Sequence, residues 1–145
     1  MTGYLLDTNI VSELVKSKPE PLVTDFISSK PLDSLHLTEI TFAEIRFGIE
    51  RQPDPLKRSS LLSWLDHQLR PMFEGRVLII DEDVILRWRL MIEEGRKQGR
   101  TYSQPDLFIA ACAAVHGLTV VTRNDSDFAG TGVGVANPWK PQKSA

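Results

Sequence analysis

The chain has one cysteine, Cys112, among 145 residues. A single thiol excludes an internal disulfide and any cluster of thiolate metal ligands. It lies within Ile109-Ala110-Ala111-Cys112-Ala113-Ala114, an apolar helical run in which a buried, inert thiol is the expected state. No apolar stretch reaches the length of about 18 residues that a membrane-spanning helix needs. Met1 to Gly3 leads straight into an apolar strand and leaves no room for a secretory leader, so the expected location is the cytoplasm. Histidine is scarce as well, and His36, His67 and His116 show no ligand spacing, which argues against zinc. Positive charge is not in excess: the formal net charge is -2. The chain as a whole thus lacks the basic character usual in nucleic-acid binders. Local charge can differ from the sum, and a bound metal adds charge that the sequence does not count. Repeats and a second domain are also absent, and the length suits one domain with a real core.

What is present begins with Tyr4-Leu5-Leu6, an apolar run ending on Asp7-Thr8-Asn9. Thr8 and Asn9 are residues that cap helices, and Ile10 to Lys16 is amphipathic, so the reading is strand, short turn, helix. A second helix is predicted over 21–27 and a short strand over 34–37. A helix follows over 38–48, capped by Thr38 or by Thr41; in the second case Glu44 stands in a capping box. After the joint Gln52-Pro53-Asp54-Pro55, a helix runs from Leu56 to about Leu69 and ends at Pro71 and Gly75. Residues 77–80 form a continuous apolar run of the buried parallel-strand kind. Asp81-Glu82-Asp83 opens a long helix whose end carries Arg96, Lys97 and Arg100, an order that the helix dipole favours. Pro105 near the start and Gly117 past the end frame a further helix. A strand over 118–122 leads to Asn124-Asp125-Ser126-Asp127, and residues 133–136 suit a last edge strand. The expected architecture is a three-layer α/β/α sandwich with a mainly parallel sheet, one domain over 1–139, and a disordered tail from Lys140.

In such a sheet, groups just past the C-terminal ends of strands line the ligand crevice. Asp7 and the 124–127 segment therefore fall on one edge, with Glu44 and Asp106 expected in the first turns of helices. Each carboxylate alone reads equally well as a helix cap. Together they are costly: two carboxylates about 4 Å apart repel by about 4 kcal/mol at an effective dielectric of about 20. Protons or a shared cation must relieve that repulsion. Oxygen donors at an open edge suit Mg²⁺, or Mn²⁺ as a second choice, and such ions most often serve phosphoryl chemistry.

Five blocks carry a resemblance. They are Leu6-Asp7-Thr8-Asn9 with Ser12-Glu13; Leu37-Thr38-Glu39 through Glu44-Ile45 with Gly48; Asp106-Leu107-Phe108-Ile109-Ala110-Ala111; Val121-Thr122-Arg123-Asn124; and Asn137-Pro138-Trp139. In this order they resemble, essentially end to end, the PIN-domain ribonucleases, above all the toxins of VapBC- and FitAB-type toxin–antitoxin pairs. The resemblance implies that Asp7, Glu44 and Asp106 form the acidic triad. Asp7 and Asp106 would hold Mg²⁺ and Glu44 would position or deprotonate the attacking water. The family's fourth acid varies in place. Some members carry it where this chain has Asn124, others where it has Asp127; Asp127 is favoured here, with Asn124 a neutral ligand and Asp125 a surface residue. Thr8 and Thr122 would orient carboxylates or water. Arg46, Arg96, Lys97, Arg100 and Arg123 are candidates for gripping RNA phosphates. Single-stranded or looped RNA is the implied substrate. A cognate antitoxin is the implied partner, its C-terminal segment laid over the acidic groove and received by apolar helix faces between Leu14 and Phe47. A homodimer is implied too, with Trp64, Trp88 and Trp139 available to it or to the core.

Two enzyme alternatives fail on residues. A phospho-acceptor receiver domain needs a lysine at a late strand end, where this chain has Thr122-Arg123-Asn124. A haloacid dehalogenase-type phosphatase needs a second Asp two residues after the first, where this chain has Asn9. The remaining rival is a PIN-like module that binds RNA or protein with little or no cleavage.

Overall fold

The computed structural model describes residues 3–141. Five strands are ordered β3-β2-β1-β4-β5 in one sheet, and every observed pairing is parallel. They are β1 (Gly3–Leu6), β2 (Leu35–Thr38), β3 (Val77–Leu78), β4 (Leu118–Val121) and β5 (Val135–Ala136). Adjacent residues of the central strands serve opposite faces. Leu6 and Val121 pack with α1 (Thr8–Leu14), α2 (Pro21–Ser28) and α3 (Glu39–Glu50). Leu5 and Val120 pack with α6 (Glu82–Lys97) and α7 (Gln104–His116). Burial on both faces explains why β1 and β4 end in consecutive apolar residues, Leu5-Leu6 and Val120-Val121. The three-layer α/β/α sandwich is the expected one.

Several boundaries differ from the sequence reading, each for a local reason. No separate turn follows β1: Asp7 itself is the N-cap of α1, its carboxylate accepting from Thr8 N–H at 2.8 Å. Thr38, not Thr41, caps α3 and accepts from Thr41 N–H. Glu44 consequently lies in the second turn, outside any capping box. Strand β3 covers two residues instead of four. Its partner β2 is in register Leu37↔Val77 and Thr38↔Leu78 and turns into α3 after Thr38, so Ile79 and Ile80 have nothing to pair with. The last strand is likewise shorter than expected, starting at Val135 and pairing through Val120↔Val135 and Val121↔Ala136.

The helix after Pro55 runs past Leu69. It comprises α4 (Pro55–Trp64), a π-turn over Leu65–Leu69 in which Arg70 N–H reaches back to the Leu65 carbonyl, and α5 (Arg70–Met72). Pro71, which lacks an N–H, falls in the first turn of that final piece, where a missing donor costs little. Gly117 adopts φ +66° as the left-handed cap of α7. Cys112 is fully buried, and burial, with the Asp81 charge adding, pushes its thiol up to about 12, as expected of an inert group. Lys140, where the tail was expected to begin, pairs with Asp125 at 2.9 Å. Residues 142–145 lie outside the described residues.

Candidate active site

The site forms where β1 and β4 end side by side. Leu6 pairs with Val121, so the next residues, Asp7 and Thr122, are neighbours across the sheet edge. The Asp7 N–H continues the ladder to the Val121 carbonyl at 2.9 Å, which fixes its backbone. Its side chain is held as firmly. One oxygen accepts from Thr8 N–H at 2.8 Å; the other accepts from the Thr122 hydroxyl at 2.8 Å and the Asn9 amide at 3.3 Å. Asn9 also donates to the Thr122 hydroxyl oxygen and accepts from Arg123 N–H, tying the two strand ends together. Sequence reasoning gave Asn9 only a capping role. Its bridging role depends on β1 lying beside β4, a pairing between residues more than a hundred apart.

Asp7 is 4% exposed. Burial pushes its carboxyl from 3.8 up to about 6, against the lowering pull of the Thr122 and Thr8 hydrogen bonds. The charges of Asp106 and Glu44 add to the rise. Glu44, on the inward side of α3, accepts from the Thr8 hydroxyl at 2.7 Å through Oε1. Asp106, in the first turn of α7, accepts from the Ser103 hydroxyl at 2.8 Å. Its carboxyl too is raised by burial, with the Ser103 bond opposing and the Asp127 charge adding.

Asp7, Glu44 and Asp106 line one cavity of about 410 Å³, together with Thr8, Arg123 and Asn124. Asp127 does not line it. It faces an adjoining hollow that shares Asp106 with the first and also contains Ser103 and Arg100. Thr122 supports the cavity from beneath, fully buried, its hydroxyl oxygen also accepting from Asn124 N–H. Asp125 faces away to Lys140 and Asn137, and the Lys140 bond lowers its carboxyl. Among the described residues no three His, Cys, Asp or Glu side chains are gathered tightly enough to enclose an ion by themselves. The donor set instead suits a hard divalent cation that takes one or two carboxylates and keeps several waters, as Mg²⁺ does.

The profile of the PIN domain family matches residues 4–133. This chain belongs to that family. Two relatives agree with it over nearly their whole length. The chain is 35% identical to VapC ribonuclease Y4jK of Sinorhizobium fredii over 137 residues, covering 94% of this chain and 98% of the relative. It is 35% identical to toxin FitB of Neisseria gonorrhoeae over 135 residues, covering 93% and 97%. Among solved structures, FitAcB from Neisseria gonorrhoeae superimposes with a TM-score of 0.90 at 34% identity, covering 94% of this chain and 98% of that one.

In this PIN domain the basic candidates scatter. Arg123 alone among them lines the acidic cavity, its guanidinium 5.2 Å from the Trp139 ring that forms part of the same wall. Arg96 and Arg100 line a second cavity beyond Asp106. Arg46 lies elsewhere, in a hollow with Phe42 and Arg70, and Lys97 is exposed at the end of α6. Two residues at the acidic cavity were given no role from sequence. Glu13 is buried and accepts from Lys16 at 2.9 Å and from Glu20 N–H at 3.0 Å; the Lys16 bond holds its carboxyl low. Lys16 thereby brings a cation to the rim. The i,i+3 spacing of Glu13 and Lys16 was the available sign. An apolar groove lined by Val15, Ile45, Ile49, Leu61 and Trp64 opens beside the acids and shares Thr8, Ser12 and Glu44 with their cavity.

Proposed function

We propose that this PIN domain is the toxin of a type II toxin–antitoxin module, a metal-dependent endoribonuclease of the cytoplasm, built as one domain over residues 1–139. The observation that carries the reading is the state of Asp7: a buried carboxylate, raised to about 6, sharing its cavity with two further acids and, among the described residues, with no lysine or arginine bonded to it. Such an arrangement disfavours its own charge, which a divalent cation would restore. Asp7 and Asp106 would hold Mg²⁺, with Mn²⁺ as substitute. A bound ion of that kind polarises a phosphate oxygen and lowers the pKa of water.

The remaining work falls to the chain itself. Thr8, Thr122 and Asn9 fix both oxygens of Asp7, and Ser103 fixes one of Asp106, so neither carboxylate must reorganise as charge develops. Glu44 has Oε1 engaged by Thr8 and leaves Oε2 to accept a proton from an attacking water. Arg123, set against Trp139, and Lys16 supply positive charge at the rim for a backbone phosphate. Asp127, across Asp106 from the main cavity, is the fourth acid of this reading, and Asn124 its neutral neighbour. The cognate antitoxin would occupy the groove beside Trp64 and lay its terminal segment across the acids. The toxin also pairs with a second copy of itself.

The test is incubation of purified protein with cellular RNA, with Mg²⁺ or EDTA, and mapping of the new ends. Discrete cuts that appear with Mg²⁺ and vanish with EDTA and in Asp106→Asn are expected. Intact RNA under every condition would leave a binding scaffold as the better reading.

A further inference from the structure

Beyond Asp106 the molecule carries a second cavity of about 410 Å³, within the range of small-ligand pockets. It is bounded by Ile92, Arg96, Arg100, Tyr102, Gln104 and Leu107. It is not isolated from the acids. The hollow that holds Arg100 and Tyr102 also contains Asp106 and Asp127, so this cavity and the acidic one adjoin through a hollow that shares walls with each.

Its wall is a built surface. Tyr102 is seated against two glycines: a Cβ on Gly95 of α6 would come within 2.9 Å of its ring, and a Cβ on Gly130 within 2.9 Å of its hydroxyl. The same Cβ on Gly130 would come within 2.8 Å of Arg100 Nη1. Arg100 and Tyr102 both donate to the Ala129 carbonyl, which holds the guanidinium and the ring together at the cavity edge. Across from them Gln104 is oriented by Trp88, whose indole N–H donates to Gln104 Oε1 at 2.9 Å. Trp88 is in turn stacked on Phe108, with centroids 4.6 Å apart and rings 7° from parallel. Indole N–H can only donate, so the amide has one orientation: Oε1 is engaged, and Nε2 of this exposed lining residue keeps two N–H groups for a ligand.

Guanidinium groups, an aromatic ring, an apolar floor and a fixed amide donor are together what an unpaired nucleotide requires. We propose that this cavity is a nucleotide subsite of the toxin, receiving a base and its phosphate next to the bond that is cut. The inference rests on the ribonuclease reading and adds a specificity determinant to it. Arg96 and Arg100 meet the phosphate, Tyr102 and the Ile92–Leu107 floor take the flat face of the base, and Gln104 Nε2 reads its edge. A donor there selects a carbonyl. Guanine and uracil present one where adenine and cytosine present an amino group. The preferred nucleotide is therefore guanosine or uridine.

Two measurements test it on the full chain. In EDTA, guanosine or uridine 5′-monophosphate should shift the indole N–H resonance of Trp88 in a ¹⁵N–¹H spectrum, and adenosine or cytidine 5′-monophosphate should shift it less; Arg96→Ala should weaken all four responses. With Mg²⁺, cut sites on a randomised single-stranded RNA should be enriched for guanosine or uridine at one flanking position. Gln104→Glu, which exchanges the donor for an acceptor, should lower that enrichment about three- to tenfold, the range of one neutral hydrogen bond, and move it toward adenosine or cytidine. A Trp88 resonance unmoved by all four nucleotides, or an identical cut-site spectrum in Gln104→Glu, would overturn the subsite. A wild-type protein that cuts no RNA while Trp88 still responds would overturn the ribonuclease reading and support the nucleotide pocket.

Discussion

Replacing Asp7 by Asn should make the metal-free protein more stable at neutral pH and less stable in acid. The folded-state carboxyl is raised from 3.8 to about 6. Below 3.8 it is neutral in both folded and unfolded chains and contributes its full stability. As pH rises through about 6 the folded protein must carry a buried charge, and stability is lost. At about 1.4 kcal/mol per pH unit the loss amounts to about 3 kcal/mol. Asn escapes this cost because it never ionises. It keeps one oxygen for the Thr8 N–H but turns an amide toward the Thr122 hydroxyl and the Asn9 amide, both donors, at a net cost of about 1 kcal/mol. Asp7→Asn is thus expected to be about 1 kcal/mol less stable than wild type near pH 4 and about 2 kcal/mol more stable at pH 7.5. Urea unfolding in EDTA across that range measures the difference. A difference that stays constant with pH, or a variant several kcal/mol weaker at pH 7.5, would show that Asp7 is an ordinary structural carboxylate.

Three further outcomes are expected. Millimolar Mg²⁺ should raise the Tm of wild type more than that of Asp7→Asn, since a ligand stabilises only the state that binds it; equal shifts by differential scanning fluorimetry would remove Asp7 from the ion's ligands. Glu44→Gln should retain the wild-type Mg²⁺-dependent shift while RNA cleavage drops at least a hundredfold, in the range of a lost proton acceptor; undiminished turnover would dismiss its role. Thr122→Val removes the hydroxyl that donates to Asp7 and accepts from Asn9 and Asn124. It should cost about 1–3 kcal/mol in urea unfolding and extend to higher pH the fall in stability that accompanies ionisation of Asp7, because the Thr122 bond lowers that carboxyl; an unmoved fall would mean that Thr122 does not hold the carboxylate.

Much of this molecule was decided locally and could be read locally. Apolar runs of the right length made β1 and β4, Pro105 and Gly117 bracketed α7, and the Asp81 segment opened α6. Alternation of strands and helices then left few arrangements besides a parallel sheet between helical layers. The place of Asp7 was also legible, because a carboxylate directly after an apolar strand falls at the C-terminal edge of the sheet; Glu44 and Asp106, which lie on helices, were pointed to by the resemblance. Register was not legible. That β2 leaves the sheet at Thr38 shortened β3, and only the pairing of Leu6 with Val121 made Thr122 and Asn9 partners of Asp7. Cap choice belongs here too: Thr38 and Thr41 are equally able to accept a capping hydrogen bond, and the sheet edge selected Thr38. The assignment of Asp127 and Arg100 to a neighbouring hollow, of Lys16 to the acidic rim and of Gln104 to a fixed amide orientation came from packing between segments far apart in the chain. Propensity acts over a few residues and is written in the sequence; the electrostatics of a cavity depend on distances between elements, which exist only once the chain has closed on itself.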